Sequence, residues 1–394
     1  MTWRTAARLG PMTLVALGLL ACEPEAASTT PPDSATQPDA AADPVEATAD
    51  DAPAEPAAPA DLAEASTPAD PPDSPEPSAP ADPIDALDES TAAQFRSGEA
   101  DPHIPFDKHY VKTNEGRHDV WFPYIDGLGG AYVGVGADQN FTLIAAAKSE
   151  FVFLIDIDHR VTENHRVYEV LIENAPTPTD LLAAFDARNE ANTVALLESA
   201  FAELDEDERQ TLIRGYQASR KTLFKHLSHV AKRSRDGVPT TWLSDPAAYD
   251  WVRRLFLADR VRIMAGDLTG QTSMKTIGEV THAMGVPVRV LYLSNAEEYF
   301  KYHAGRYRQN VRGLARDADS IVLRTLYGKD FTHADSLWNY QVQTLEDFAG
   351  RLQREDLRSR NPMLRDAEAK GEFERDVGQK GVSVVGTASR RQGG

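Results

Sequence analysis

The sequence predicts an α/β fold: a doubly wound, mostly parallel sheet with an inserted helical region. Three observations carry that expectation. Five short apolar runs recur along residues 131–326, stretches of helical period separate them, and glycine or acid stands at the run ends. The stretch 129–158, GGAYVGVGADQNFTLIAAAKSEFVFLIDID, holds the first complete unit of strand, glycine turn, helix and strand. Ala131 to Val135 is closed by Gly134 and Gly136, and Asp138 stands where an N-cap oxygen satisfies orphan N–H groups. Phe141, Ile144, Ala145 and Lys148 follow a period of three to four. Residues 151–157 are almost wholly apolar, as a strand covered on both faces requires.

The chain has 394 residues and a formal net charge of −20. That balance is unevenly spread. Residues 1–22 carry Arg4 and Arg8, an apolar run and Leu19-Leu20-Ala21-Cys22, the pattern of an export signal ending in a lipobox-like site. Cys22 is the candidate lipidation site and, as the only cysteine, forms no internal disulfide. The apolar run is short for a transmembrane helix. Residues 23–90 hold eighteen acidic residues and no Lys or Arg, leaving about −4 for 91–394. Such a segment buries too little apolar surface to offset its ordering entropy, so a disordered, extended tether is expected. The expected setting is the cell envelope, with a lipid anchor as the membrane partner. The tether serves as a stalk or as filler of no specific role.

The globular domain is expected over 91–394, opening with a helix over 90–97. The aromatic group Phe106, Tyr110, Trp121, Phe122 and Tyr124 covers an edge or end of the sheet, or lids a ligand. Between about 160 and 259 no strand signal intervenes, which predicts a crossover helix plus an inserted helical cap. The rhythm resumes with a helix at 251–259 and a strand at 261–265. A helix at 274–284, a strand at 288–293, a helix at 306–316 and a strand at 320–326 follow. The tail predicts one helix, 338–352, and a weakly determined, frayed end that includes 382–385.

In an open parallel sheet ligands bind beyond the carboxyl ends of the strands. The predicted strand ends carry Gly134 to Asn140, Asp156 and Asp158, Gly266 to Thr269 with Asp267 among them, Ser294 to Glu297, and Arg324 to Tyr327. None gathers Lys or Arg before a helix. A P-loop lacks its lysine here, and Gln139 stands where a dinucleotide fingerprint wants a third glycine. Asp138 would also repel a pyrophosphate. A zwitterionic or cationic small molecule suits these ends better, and no nucleic-acid partner is expected. The pair His226 and His229 shares a helix face in basic surroundings without a carboxylate cluster, so no metal site is expected. No G-x-S-x-G elbow is present.

The segments GGAYVGVGADQNFTLIAAAKSEFVFLIDID, GDLTG, YLSNAEEYF and IVLRTLYG resemble an uncharacterised bacterial family with a class I S-adenosylmethionine-dependent methyltransferase-like, Rossmann-like fold, over roughly 104–330. That likeness implies S-adenosylmethionine as the cofactor. It makes Gly134, Gly136, Asp156, Asp158, Asp267 and Ser294 its contacts, with Asn295, Glu297 and Tyr299 as catalytic candidates facing a substrate. The sequence departs from the usual pattern in two ways: no acid precedes Gly134 on the first strand, and the helical insertion separates the second strand from the third. S-adenosylmethionine is made in the cytosol, whereas the signal exports the domain. The expected function is therefore an exported lipoprotein whose methyltransferase-like domain binds a nucleoside-like or amino-acid-like ligand. The alternatives are a non-catalytic envelope interaction domain and an active methyltransferase.

Overall fold

A computed structural model describes residues 84–391 apart from 105, 107 and 108. Cys22, the signal and the tether up to residue 83 lie outside the described residues. Helix α1 (Glu89–Phe95) and the one-turn α2 (Phe122–Ile125) precede β1 (Ala131–Val135), α3 (Gln139–Ala147) and β2 (Phe151–Asp156). The long connection after β2 contains α4 (His159–Asn174), α5 (Pro178–Phe185), α6 (Glu190–Ala200) and α7 (Glu206–Val230). It continues with β3 (Ser234–Arg235), β4 (Val238–Pro239) and α8 (Pro246–Leu257). Then come β5 (Val261–Ala265), α9 (Ser273–Met284), β6 (Val288–Ser294), α10 (Tyr307–Arg312) and β7 (Ile321–Leu326). The chain closes with β8 (Asn339–Thr344), α11 (Leu345–Arg351), α12 (Arg360–Ala369), β9 (Phe373–Arg375) and β10 (Val382–Val385).

Eight strands form one sheet in the order β5-β2-β1-β6-β7-β8-β10-β9. The five predicted strands run parallel to one another. Strand β8 reverses against β7, β10 runs parallel to β8, and β9 pairs antiparallel at the edge. The winding changes direction between β1 and β6, so their carboxyl ends flank a crevice. Alternate side chains feed two cores. Tyr132, Val152 and Leu154 pack with α3, α4, α7 and α8, whereas Val133, Phe153 and Ile155 pack with α9, α10, α11 and α12. Helix α4 lies against β2 and β5, while α5 and α6 pack on α7 to build the inserted cap. Among the described residues no helix is long and apolar enough to cross a membrane.

Several expectations need correction. The supposed tether is folded from residue 84: Ile84 is buried, and the Arg260 guanidinium donates to the Asp85 carbonyl at 2.8 and 3.0 Å. The insertion contains a hairpin, β3–β4, turning at Asp236 and Gly237, both at positive φ. Its two-residue strands are too short to show a period. The predicted tail helix is strand β8 followed by α11, and 382–385 is the fully buried strand β10 rather than a frayed end. Strand β8 hides its nature because Gln341 and Gln343 are buried polar residues. Both accept from Nη1 of buried Arg324, at 2.8 and 2.6 Å. Among the aromatic lead-in residues, Trp121 and Tyr124 join the core, whereas Phe106 and Tyr110 are exposed.

Candidate functional site

The β1–α3 turn is held from inside. The Asn140 amide donates to the carbonyls of Val135, Gly136 and Ala137 at 2.8–3.2 Å, and its Oδ1 accepts from Tyr132 Oη at 2.7 Å. A Cβ at Gly134 would overlap Asn140 Oδ1 and the Tyr132 ring, and one at Gly136 would meet Gln139 Nε2 at 2.5 Å. Gly136 also sits at φ +89°, a conformation that costs a side-chain-bearing residue. The two glycines therefore make room for the turn's own side chains. Asp138 holds the N-cap position of α3 without a side-chain cap, contrary to the expected role. Its Oδ1 instead meets His226 Nε2 on α7 at 2.8 Å, with both groups buried. This also corrects the surroundings expected for His226, which has a carboxylate partner 88 residues away. Burial opposes the charge on Asp138, but the imidazole beside it outweighs burial and holds the carboxyl below its usual range.

Asp156 ends β2 and reaches this turn. Its Oδ2 accepts from the Gly136 N–H at 2.9 Å, and its Oδ1 accepts from the Asp158 N–H at 2.8 Å. Burial pushes its pKa up to about 6, the residue as a whole being part-buried at the sheet end. The next strand end lies alongside, since the Gly266 N–H donates to the Asp156 carbonyl at 2.9 Å. There Asp267 Oδ1 accepts from the Thr269 N–H and hydroxyl at 2.7 and 2.9 Å. The structure thus sets Asp156 against Gly136 and beside the strand end that carries Asp267, whereas Gly134 faces Asn140 and Tyr132. Asp158 faces another way: it caps α4 through the Arg160 N–H at 2.9 Å and meets His109 Nδ1 at 2.8 Å. The lead-in crosses these strand ends as a strap, with Asp101 accepting from the N–H groups of Asp267, Thr272 and Ser273 and Ile104 bridging to Asp158.

The end of β6 is occupied by a residue that sequence reasoning missed. Glu115 is buried and accepts from Ser294 Oγ and Tyr292 Oη at 2.7 Å each, from Thr325 Oγ1 at 2.9 Å and from His118 Nε2 at 2.9 Å. Burial alone would raise its pKa, yet the His118 and hydroxyl donors prevail and lower it. Ser294 adopts φ +48°, a sparsely populated conformation for a residue with a Cβ. Glu115 lies in an irregular loop, so no period marked it; an acid three residues before a histidine was the only local signal.

Of Ser294, Asn295, Glu297 and Tyr299, only Ser294 joins that network. The Asn295 side chain donates to exposed Glu298 at 3.3 Å. Glu297 is buried against Arg324, Oε2 to Nε at 2.7 Å, and accepts from Tyr307 Oη at 2.8 Å. That partnership gives Glu297 a structural task at the end of β6. Tyr299 is 75 % exposed.

The chain belongs to the family described as a domain of unknown function (DUF7790), whose model matches residues 110–386. No curated protein matches it.

Proposed function

We propose that this DUF7790 domain is a methyltransferase-like Rossmann module of an exported lipoprotein. It holds a nucleoside-like or amino-acid-like ligand over the carboxyl ends of β1, β2 and β5. The observation that carries this reading is Asp156, a part-buried residue at the end of the second strand whose carboxylate is bonded to the Gly136 amide at 2.9 Å. An ionised acid there accepts paired hydroxyls or an amine, and Asp267 on the adjoining strand adds a second acceptor. The order β5-β2-β1-β6-β7 supports it as well, because the winding reverses at β1, one of the three strands whose ends hold the ligand. With Asp101, Asp156 and Asp267 at these ends, a phosphate meets like charge. S-adenosylmethionine or its demethylated product is the ligand that the family resemblance suggests. No methyl-transfer step is assigned to Asn295, Glu297 or Tyr299. Titration of S-adenosylmethionine, S-adenosylhomocysteine, NAD and ATP against the full chain tests the pocket.

A second reading, a non-catalytic envelope interaction domain, is favoured by one observation. Asn140 and Gln139 fill the space beside Gly134 and Gly136, and Glu115 occupies the end of β6. Failure of all four ligands to bind, with the fold intact, selects it. The envelope setting rests on Leu19-Leu20-Ala21-Cys22 and has its own test. Cys22→Ser should abolish a lipid mass increment on the N-terminal peptide and release the protein from the membrane fraction. A wild-type peptide without that increment refutes the anchor.

A further inference from the structure

Beside the proposed pocket, the N-terminal end of α4 and the strap carry a separate group of side chains. Asp158 caps the helix, His159 is its first residue, and His109 arrives from the strap. One ligand atom from each lies within 4.8 Å of the others. His109 Nδ1 is 2.8 Å and His159 Nδ1 is 3.9 Å from Asp158 Oδ1. We propose that His109, Asp158 and His159 form a three-ligand site for a divalent cation of the zinc class, which staples the strap to the carboxyl end of β2.

The spacing fits such an ion. Zinc–nitrogen and zinc–oxygen bonds of about 2.0–2.2 Å in a tetrahedron put ligand atoms roughly 3.3–3.5 Å apart, between the two separations found here. The third separation, between the two imidazoles, lies within 4.8 Å. His159 Nδ1 supplies an independent sign: it is buried from solvent and has no hydrogen-bond partner, a costly condition that a metal relieves. Two imidazoles and one carboxylate select zinc, cobalt or nickel over magnesium or calcium, which need more oxygen ligands. The two imidazoles are 27 % and 24 % exposed, which leaves an ion a way in. Three protein ligands also leave a coordination position for water or an exchangeable group. The helix N-terminus opposes a cation. The Asp158 carboxylate counters that field; Glu163, one turn along α4, is already paired with Arg160 at 2.8 Å.

The test uses the untagged full chain, stripped with a chelator and titrated with ZnCl2 by calorimetry. CoCl2 serves as the spectroscopic probe and circular dichroism as the check on folding. The expected result is one zinc per chain, with cobalt giving the intense visible bands of a four-coordinate site and MgCl2 failing to compete. His109→Ala and His159→Ala should each weaken zinc at least about tenfold, since even outer-shell changes cost about 10–100-fold. The exposed His282→Ala should leave affinity unchanged. Because Asp158→Asn disturbs the cap of α4, the two histidine variants decide the matter. A native fold that binds no zinc, or binds it equally well in both histidine variants, overturns the site and leaves Asp158 and His109 as a simple clasp.

Discussion

The carboxylate of Glu115 lies 2.7 Å from the hydroxyl of Ser294, joining the lead-in to the end of β6. Tyr292, Thr325 and His118 complete its bonding, so this one acid satisfies four donors, three of them buried. Removing it leaves those donors unpaired in a dry site. Glu115→Ala should therefore destabilise the domain by about 3–5 kcal/mol, and Glu115→Gln by less, about 1–3 kcal/mol. Urea unfolding measures both. A loss below about 1 kcal/mol in the alanine variant would show that the network does not hold the strap.

The domain begins earlier than its composition suggests. Truncation to residue 84 should leave the melting temperature near that of the full chain, whereas truncation to residue 91 removes Ile84 and the Asp85 carbonyl bonded to buried Arg260. Burial of one isoleucine stabilises by about 1.5–3 kcal/mol, and the loss of the two Arg260 hydrogen bonds to Asp85 adds to the effect. Scanning calorimetry of the two truncations should show the shorter one melting several degrees lower. Equal melting would return residues 84–90 to the tether.

The sheet was legible where apolar residues repeat locally. The five parallel strands from Ala131 to Leu326, and the glycine turn beside Asp156, follow from short patterns read within one unit. What stayed hidden depends on distant partners. Strand β8 reads as helix because the glutamines that bury its second face do so only against Arg324 of β7. Asp138 stands at the right position for a cap, but His226 of the inserted cap draws its side chain away. Glu115 and His109 come from a loop with no period, and each finds its place through contacts made across the fold.

His165 gives a pH signature. Its Nε2–H donates to the Gly136 carbonyl at 2.8 Å, and burial lowers its pKa from 6.5 to about 4. The unfolded chain therefore binds the extra proton between these values, and stability from this group is lost as pH falls from about 6.5 to 4, by about 3 kcal/mol. Asp156 acts in the opposite sense. Its pKa rises from 3.8 to about 6, so stability from it is lost as pH rises through that window, by a similar amount. The contributions of these two groups should nearly cancel in the parent. His165→Gln removes one of them, so its stability relative to the parent should improve as pH falls from 7 to 5. Urea melts at both pH values check this, and parallel behaviour of parent and variant would refute the buried neutral imidazole.

The same carboxylate makes ligand affinity depend on pH. A ligand held by ionised Asp156 must displace a proton below about pH 6, so its affinity should fall there by up to about tenfold per unit and level off above pH 7. Calorimetric titrations from pH 5 to pH 8 measure this slope. An affinity that stays flat through pH 6 would remove Asp156 from the contact.

The central claim is that Gly136, Asp156 and Asp267 form a pocket for a nucleoside-like or amino-acid-like ligand. The direct measurement is calorimetry of S-adenosylmethionine, S-adenosylhomocysteine, NAD and ATP against the full chain and its Asp156→Ala variant at pH 7.5. The predicted result is tighter binding of the first two ligands, weakened by about 1–3 kcal/mol in the variant. Tighter binding of NAD or ATP, or no binding of any of the four by a folded parent, would contradict it.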